Sequence, residues 1–97
     1  MAKVKIKVTR VNKDGVDRGM ILIDDRVLPF ENGDNLNIFV NSDQIYGVTV
    51  YCQGPRGAST TASIEKSGGK VIEPLAAIVD NDYGVNHASD EFKVTST

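Results

Sequence analysis

The chain has 97 residues, 40% of them apolar and 25% charged, and a formal net charge of −2. That length makes one domain, residues 1–97, with no room for a second core, and the charge balance argues against a strong nucleic-acid binder. A single Cys rules out an internal disulfide, and with no Trp and 6% aromatics the core falls to Val, Ile and Leu.

The first element is predicted over residues 2–11. In Lys3-Val4-Lys5-Ile6-Lys7-Val8-Thr9 the branched residues take even positions and the lysines odd ones. A strand with period two therefore carries Val4, Ile6 and Val8 on one face and a row of ammonium groups on the other. Charged residues commonly protect a sheet edge from pairing with other chains, so Lys3, Lys5 and Lys7 mark this strand as an edge, in preference to a phosphate-binding face. Asn12-Lys13-Asp14-Gly15 reads as a turn. Gly19 to Ile23 is a short continuous apolar run, the pattern of a strand buried on both sides or of a sheet switch.

Asp24-Asp25 interrupts that run, Val27-Leu28 resumes it, and Pro29 belongs at an edge or a strand end. Glu31 to Asn35 is the next turn cluster. Leu36, Ile38 and Val40 then alternate with Asn37, Phe39 and Asn41, and Asn41 to Gln44 turns again. Val48, Val50 and Cys52 alternate with Thr49, Tyr51 and Gln53 in a half-buried strand of good β-formers. Gly54-Pro55-Arg56-Gly57 is a loop tip, with Thr60 to Ile64 returning from it as a hairpin. Ser67-Gly68-Gly69-Lys70 is a tight turn. Val71-Ile72 and Leu75 to Val79 form one strand broken at Pro74, or two short ones. Asp80 to Asp90 reads as a polar loop, and Phe92 to Thr95 as the last strand. No stretch carries a capped helical stripe. The fold class is therefore all-β: a small antiparallel β-sandwich of immunoglobulin-like or Greek-key type, with a small β-barrel as the alternative.

Chemistry is harder to find. Asp80, Asp82, Asp90 and Glu91 are the candidate metal ligands, because calcium takes several carboxylate oxygens from closely spaced acids. Asp24, Asp25 and Asp34 are possible helpers. Against the EF-hand template the pattern fails, since Gly84 takes a ligand position, Val85 takes the sharp-turn glycine's place and strands flank the loop. The stretches Ala77-Ile78-Val79-Asp80-Asn81-Asp82 and Asp90-Glu91-Phe92-Lys93-Val94-Thr95 are similar to the closing strands of Calx-β-type sandwich repeats. The resemblance is confined to residues 77–95 and implies a sandwich and calcium, while residues 1–60 show no such likeness.

Cys52 and His87 are the one nucleophile–base pair available. Cys52 shares parity with Val48 and Val50, which places its thiol in the core, and no third member is evident. No structural zinc set or Walker-type phosphate loop is present. Tyr46, Tyr51 and Tyr83 stand at positions where tyrosine packs its ring and shows its hydroxyl.

The expected function is accordingly a non-enzymatic binding or structural module that presents loops to a protein partner, as a particle- or virion-decorating component or a small inhibitor would. Arg56 and Tyr83 are the expected partner-binding residues. The alternative is a calcium- or carbohydrate-binding module. No cofactor other than calcium is expected, and neither nucleic acid nor membrane is an expected partner, whereas a homo-oligomer is. With no cleavable leader after Met1, cytoplasmic synthesis is the expectation, extending to assembly into a particle made there.

Overall fold

The computed structural model describes residues 2–30 and 33–95. The described residues form nine strands: β1 (Lys3–Lys13), β2 (Arg18–Ile23), β3 (Arg26–Val27), β4 (Asn35–Asn41), β5 (Ile45–Pro55), β6 (Ser59–Lys66), β7 (Gly69–Lys70), β8 (Leu75–Ile78) and β9 (Tyr83–Lys93). One sheet runs β4-β1-β6-β7, with β8 also paired to β6, and the other runs β3-β2-β5-β9. All pairings are antiparallel. The two sheets pack face to face as a small β-sandwich, and no helix occurs among the described residues. The turn cluster expected from Glu31 begins, at Glu31 and Asn32, outside the described residues.

Period-two patterning builds the core from both sheets. Ile6 and Val8 of β1, Val48, Val50 and Cys52 of β5, and Ala62 and Ile64 of β6 are all buried. Ile21, Val79, Phe92 and Val94 fill the space between them, and the Tyr46 ring stacks on Phe92 with centroids 5.5 Å apart. Short polar residues make the turns. Asp24 and Asp25 both take positive φ, 48° and 69°, and reverse the chain from β2 to β3. Ser67-Gly68 reverses the chain between β6 and β7, with Gly68 at a φ of 101° and Lys66 opposite Gly69.

Four expectations need correction. The strand carrying Lys3, Lys5 and Lys7 is not an edge strand along its length: β4 pairs with residues 3–9 and β6 with residues 7–13, so Lys7 is flanked on both sides, while Lys3 and Lys5 pair with β4 alone. Gly54 to Gly57 does not close a hairpin, since β5 and β6 belong to opposite sheets and the tip carries the chain across the sandwich. Residues 19–23 are not buried on both sides: Ile21 and Ile23 point inward while Met20 and Leu22 are half-covered on the outer face. Finally, Asp80 to Asp90 is not a loop. Residues 83–93 form β9, in register with β5 from Pro55↔Tyr83 to Ile45↔Lys93.

The two flanks of the sandwich differ. On one, β8 of the first sheet stands against β9 of the second, and the Asn86 Nδ2 donates to the Ile78 carbonyl at 2.7 Å. On the other, no Cα of β4 comes within 8 Å of β2 or β3.

Candidate functional site

The Cys52–His87 pair does not assemble. Cys52 is wholly buried on the inner face of β5, and its register partner on β9 is Asn86. His87 sits one position along, on the outer face, where its ring lies 5.6 Å from that of Tyr51. Successive residues of a strand point to opposite faces, so the thiol and the imidazole are separated by the sheet itself.

The four acids are divided too, along the strand rather than across it. Asp80 and Asp82 precede β9, whereas Asp90 and Glu91 lie near its far end, about seven residues on at roughly 3.3 Å each. The Asp90 Oδ1 accepts from the Glu91 N–H at 2.8 Å. Of the acids that could have helped, Asp24 Oδ1 accepts from the Gly47 N–H at 2.8 Å, and Asp34 pairs with Arg10 at 3.1 Å. Among the described residues no group of three or more His, Cys, Asp or Glu is placed to hold a metal ion.

Arg56 and Tyr83, by contrast, meet at one end of the sandwich. Three connections converge there: β1–β2, β5–β6 and β8–β9. The close approach depends on Gly54, where a Cβ would fall 2.9 Å from the Ala58 Cβ and 3.1 Å from the Gly15 carbonyl. The Arg56 Nη1 donates to the Asp80 carbonyl at 2.7 Å, and Nη2 pairs with the Asp82 carboxylate at 3.1 Å. Backbone bonds from Arg56 N–H to Asp82 and from Gly57 N–H to Val79 tie the same loops together. The arginine is therefore a clasp between two loops, with its side chain still 63% exposed.

Tyr83 fastens the third loop. Its hydroxyl donates to the Asp17 carboxylate and accepts from Gln53 Nε2 at 3.4 Å. The bond to Asp17 raises the phenol above the ordinary tyrosine value, because ionisation would lose the donated proton; partial desolvation and the Asp17 charge push the same way.

From this end an exposed face runs along β9 and β5. Tyr83 is 55% and Val85 60% exposed, and the Tyr51–His87 pair continues the row, with Met20 of β2 opposite Tyr51. Val85, His87 and Tyr51 are absent from the sequence-based site. Once residues 83–93 are known to be a strand, simple parity finds them. Comparison with known proteins yields nothing: no family model, no curated protein and no solved structure matches this chain.

Proposed function

We propose that this domain is a protein-binding module that works by presenting a rigid surface rather than by catalysis. The observation that carries the reading is the exposed row Tyr83, Val85 and His87 on the outer face of β9, beside Tyr51 and ending at the Arg56 clasp. Tyrosine and arginine are the residues that most often dominate protein interfaces, since each combines a large contact area with a polar handle. Rigidity supports the reading as well. β9 is held to β5 over eleven consecutive register pairs, so docking on this face orders little backbone that is not already ordered. A sandwich of this kind would suit a particle-decorating component or a small inhibitor, and the partner itself decides between them.

The test compares three immobilised proteins against an extract of the native cell: the wild type, a Tyr83→Ala/Val85→Asp double variant, and a Lys7→Ala control on the opposite sheet. A partner retained by the wild type and by Lys7→Ala, and lost by the double variant with its melting temperature preserved, supports the surface. Equal retention by all three proteins would discard it. Light scattering on the same samples identifies self-association as the explanation if a multimer disappears in the double variant alone.

A further inference from the structure

We infer that the free edge of β4 is a docking site for an extended protein segment whose residues alternate between acidic and apolar, added as a further strand of the sheet. This surface lies on the opposite flank from the β9 face and stands or falls separately from it.

The backbone provides the first argument. The Arg10 N–H donates to the Asp34 carbonyl and the Ser42 N–H to the Ala2 carbonyl, each at 2.8 Å. Both residues on the β4 side are even-numbered, so even positions turn their peptide groups towards β1 and odd positions turn theirs outward. The Asn41 N–H agrees, since it is taken on the outer side by the Tyr46 hydroxyl at 2.7 Å. Beyond that cap, among the described residues, no group meets the outward N–H or C=O of Asn37 or Phe39. The strand itself, Asn35-Leu36-Asn37-Ile38-Phe39-Val40-Asn41, has no charge and no proline, which are the usual means of blunting an edge.

Next to this edge is a cleft of about 620 Å³, lined by Ile38 and Val40 of β4 and by Ile23, Leu28, Pro29 and Tyr46. It occupies the place where another strand beside β4 would send its inward side chains. Ile38 faces inward yet remains half-exposed, although its partner across β1, Ile6, is 1% exposed. The inner face of β4 is thus left partly open, with both Leu36 and Ile38 only half-buried. Strand addition fits such a site, with main-chain bonds giving affinity and pockets for alternate side chains giving selectivity.

Charge selects the occupant. On the outer face Lys3, Lys5 and Lys7 stand opposite Asn41, Phe39 and Asn37 of β4. Lys7 also has Glu65 of β6 as its partner on the other side, whereas Lys3 and Lys5 have no acid opposite them, and no ion pair joins any of the three to an acid among the described residues. An added strand would lie about 10 Å from β1, close enough for long lysine side chains to approach outward carboxylates. At the rim of the cleft Asp24 is turned to the Gly47 N–H, while Arg26 is exposed. A second copy of β4 suits the edge less well, because a two-fold pairing would set a second lysine row about 14 Å from the first and bring no acid near either.

The probe is a heptapeptide alternating Glu and Val, with a Lys and Val heptapeptide as control, read by amide exchange in nuclear magnetic resonance. Exchange at Asn37 and Phe39 should be fast in the free protein and slow about tenfold with the acidic peptide. Lys5→Glu should weaken that peptide about tenfold, and Asn37→Pro should abolish binding while leaving the dichroism spectrum intact, since the proline would remove only an outward donor. Unchanged exchange at Asn37 and Phe39 with the acidic peptide would overturn the inference, as would equal binding of the basic peptide. So would protection of these amides in the peptide-free protein that fades on dilution, because a second copy would then be the occupant.

Discussion

Along the β8/β9 flank the backbones of the two sheets come together, and along the β3/β4 flank they stay apart, although both flanks are formed by sheet edges. β9 carries Asp90, Glu91 and Lys93. It also covers its own donors: the Asn86 Oδ1 accepts from the His87 N–H at 2.9 Å and the Asp90 Oδ1 from the Glu91 N–H at 2.8 Å. Its Asn86 then bridges to the carbonyl of Ile78 in the other sheet. β4 has no charge, one cap from Tyr46 and an open cleft beside it. The contrast teaches that edge protection here is assigned strand by strand. A protein that guards one edge with three devices and gives the other a single cap has a β4 flank fit for use.

The largest expected effect tests whether the two flanks differ in burial. Ile6 and Ile38 are direct cross-strand partners with the same side chain. Ile6→Ala removes a fully buried group and should cost about 2–5 kcal/mol in urea unfolding. Ile38→Ala, on the half-exposed side, should cost about 1 kcal/mol, because less area returns to water and solvent fills the gap. Equal costs would mean that the cleft is closed in solution.

What the sequence reveals follows the same division. Val48, Val50 and Cys52 are legible because branched or apolar residues alternate with polar ones, and the burial of all three matches that spacing. β9 is illegible because its inward positions Gly84, Asn86 and Ala88 are small or polar. They have to be small: a Cβ at Gly84 would lie 2.5 Å from the Asn81 side chain, and β8 presses on the same flank. A strand whose inward face is apolar only at its far end, at Ala88 and Phe92, and whose start is dense in Asp, Asn and Gly, carries the composition of a loop. The lysine row is legible as one face of a strand, but which strand stands at the edge depends on pairings some thirty to sixty residues apart, which local spacing does not encode. Arg56 and Tyr83 can be singled out as residue types. Their clasp to Asp80, Asp82 and Asp17 depends on which loops share an end of the sandwich, and only the folded topology supplies that.

A middle-sized effect separates the two edges directly. Asn86→Ala deletes the bond to the Ile78 carbonyl and uncovers the His87 N–H, and should cost about 1–2 kcal/mol. Asn37→Ala changes an exposed side chain on β4 and should stay within about 0.5 kcal/mol. Denaturant midpoints of the two variants provide the comparison. If Asn37→Ala proves the costlier, β4 is the edge under strain and the contrast between the flanks is reversed.

The smallest effect lies at the loop end where β9 begins. Tyr83 has its pKa raised in the folded protein, chiefly by the hydrogen bond it donates to Asp17. A raised pKa means that the native state favours the protonated phenol over the unfolded chain. The contribution is therefore complete below the ordinary tyrosine range and is lost as pH rises through the folded value. Tyr83→Phe removes that dependence together with the bond. At neutral pH the variant should be slightly less stable than the wild type, by an amount kept small by solvent at an exposed site. On going to alkaline pH the wild type should lose stability more steeply and the two proteins should converge. Parallel curves across the alkaline range would show that the Asp17 bond does not hold the start of β9, and that the loop end is fastened by Arg56 alone.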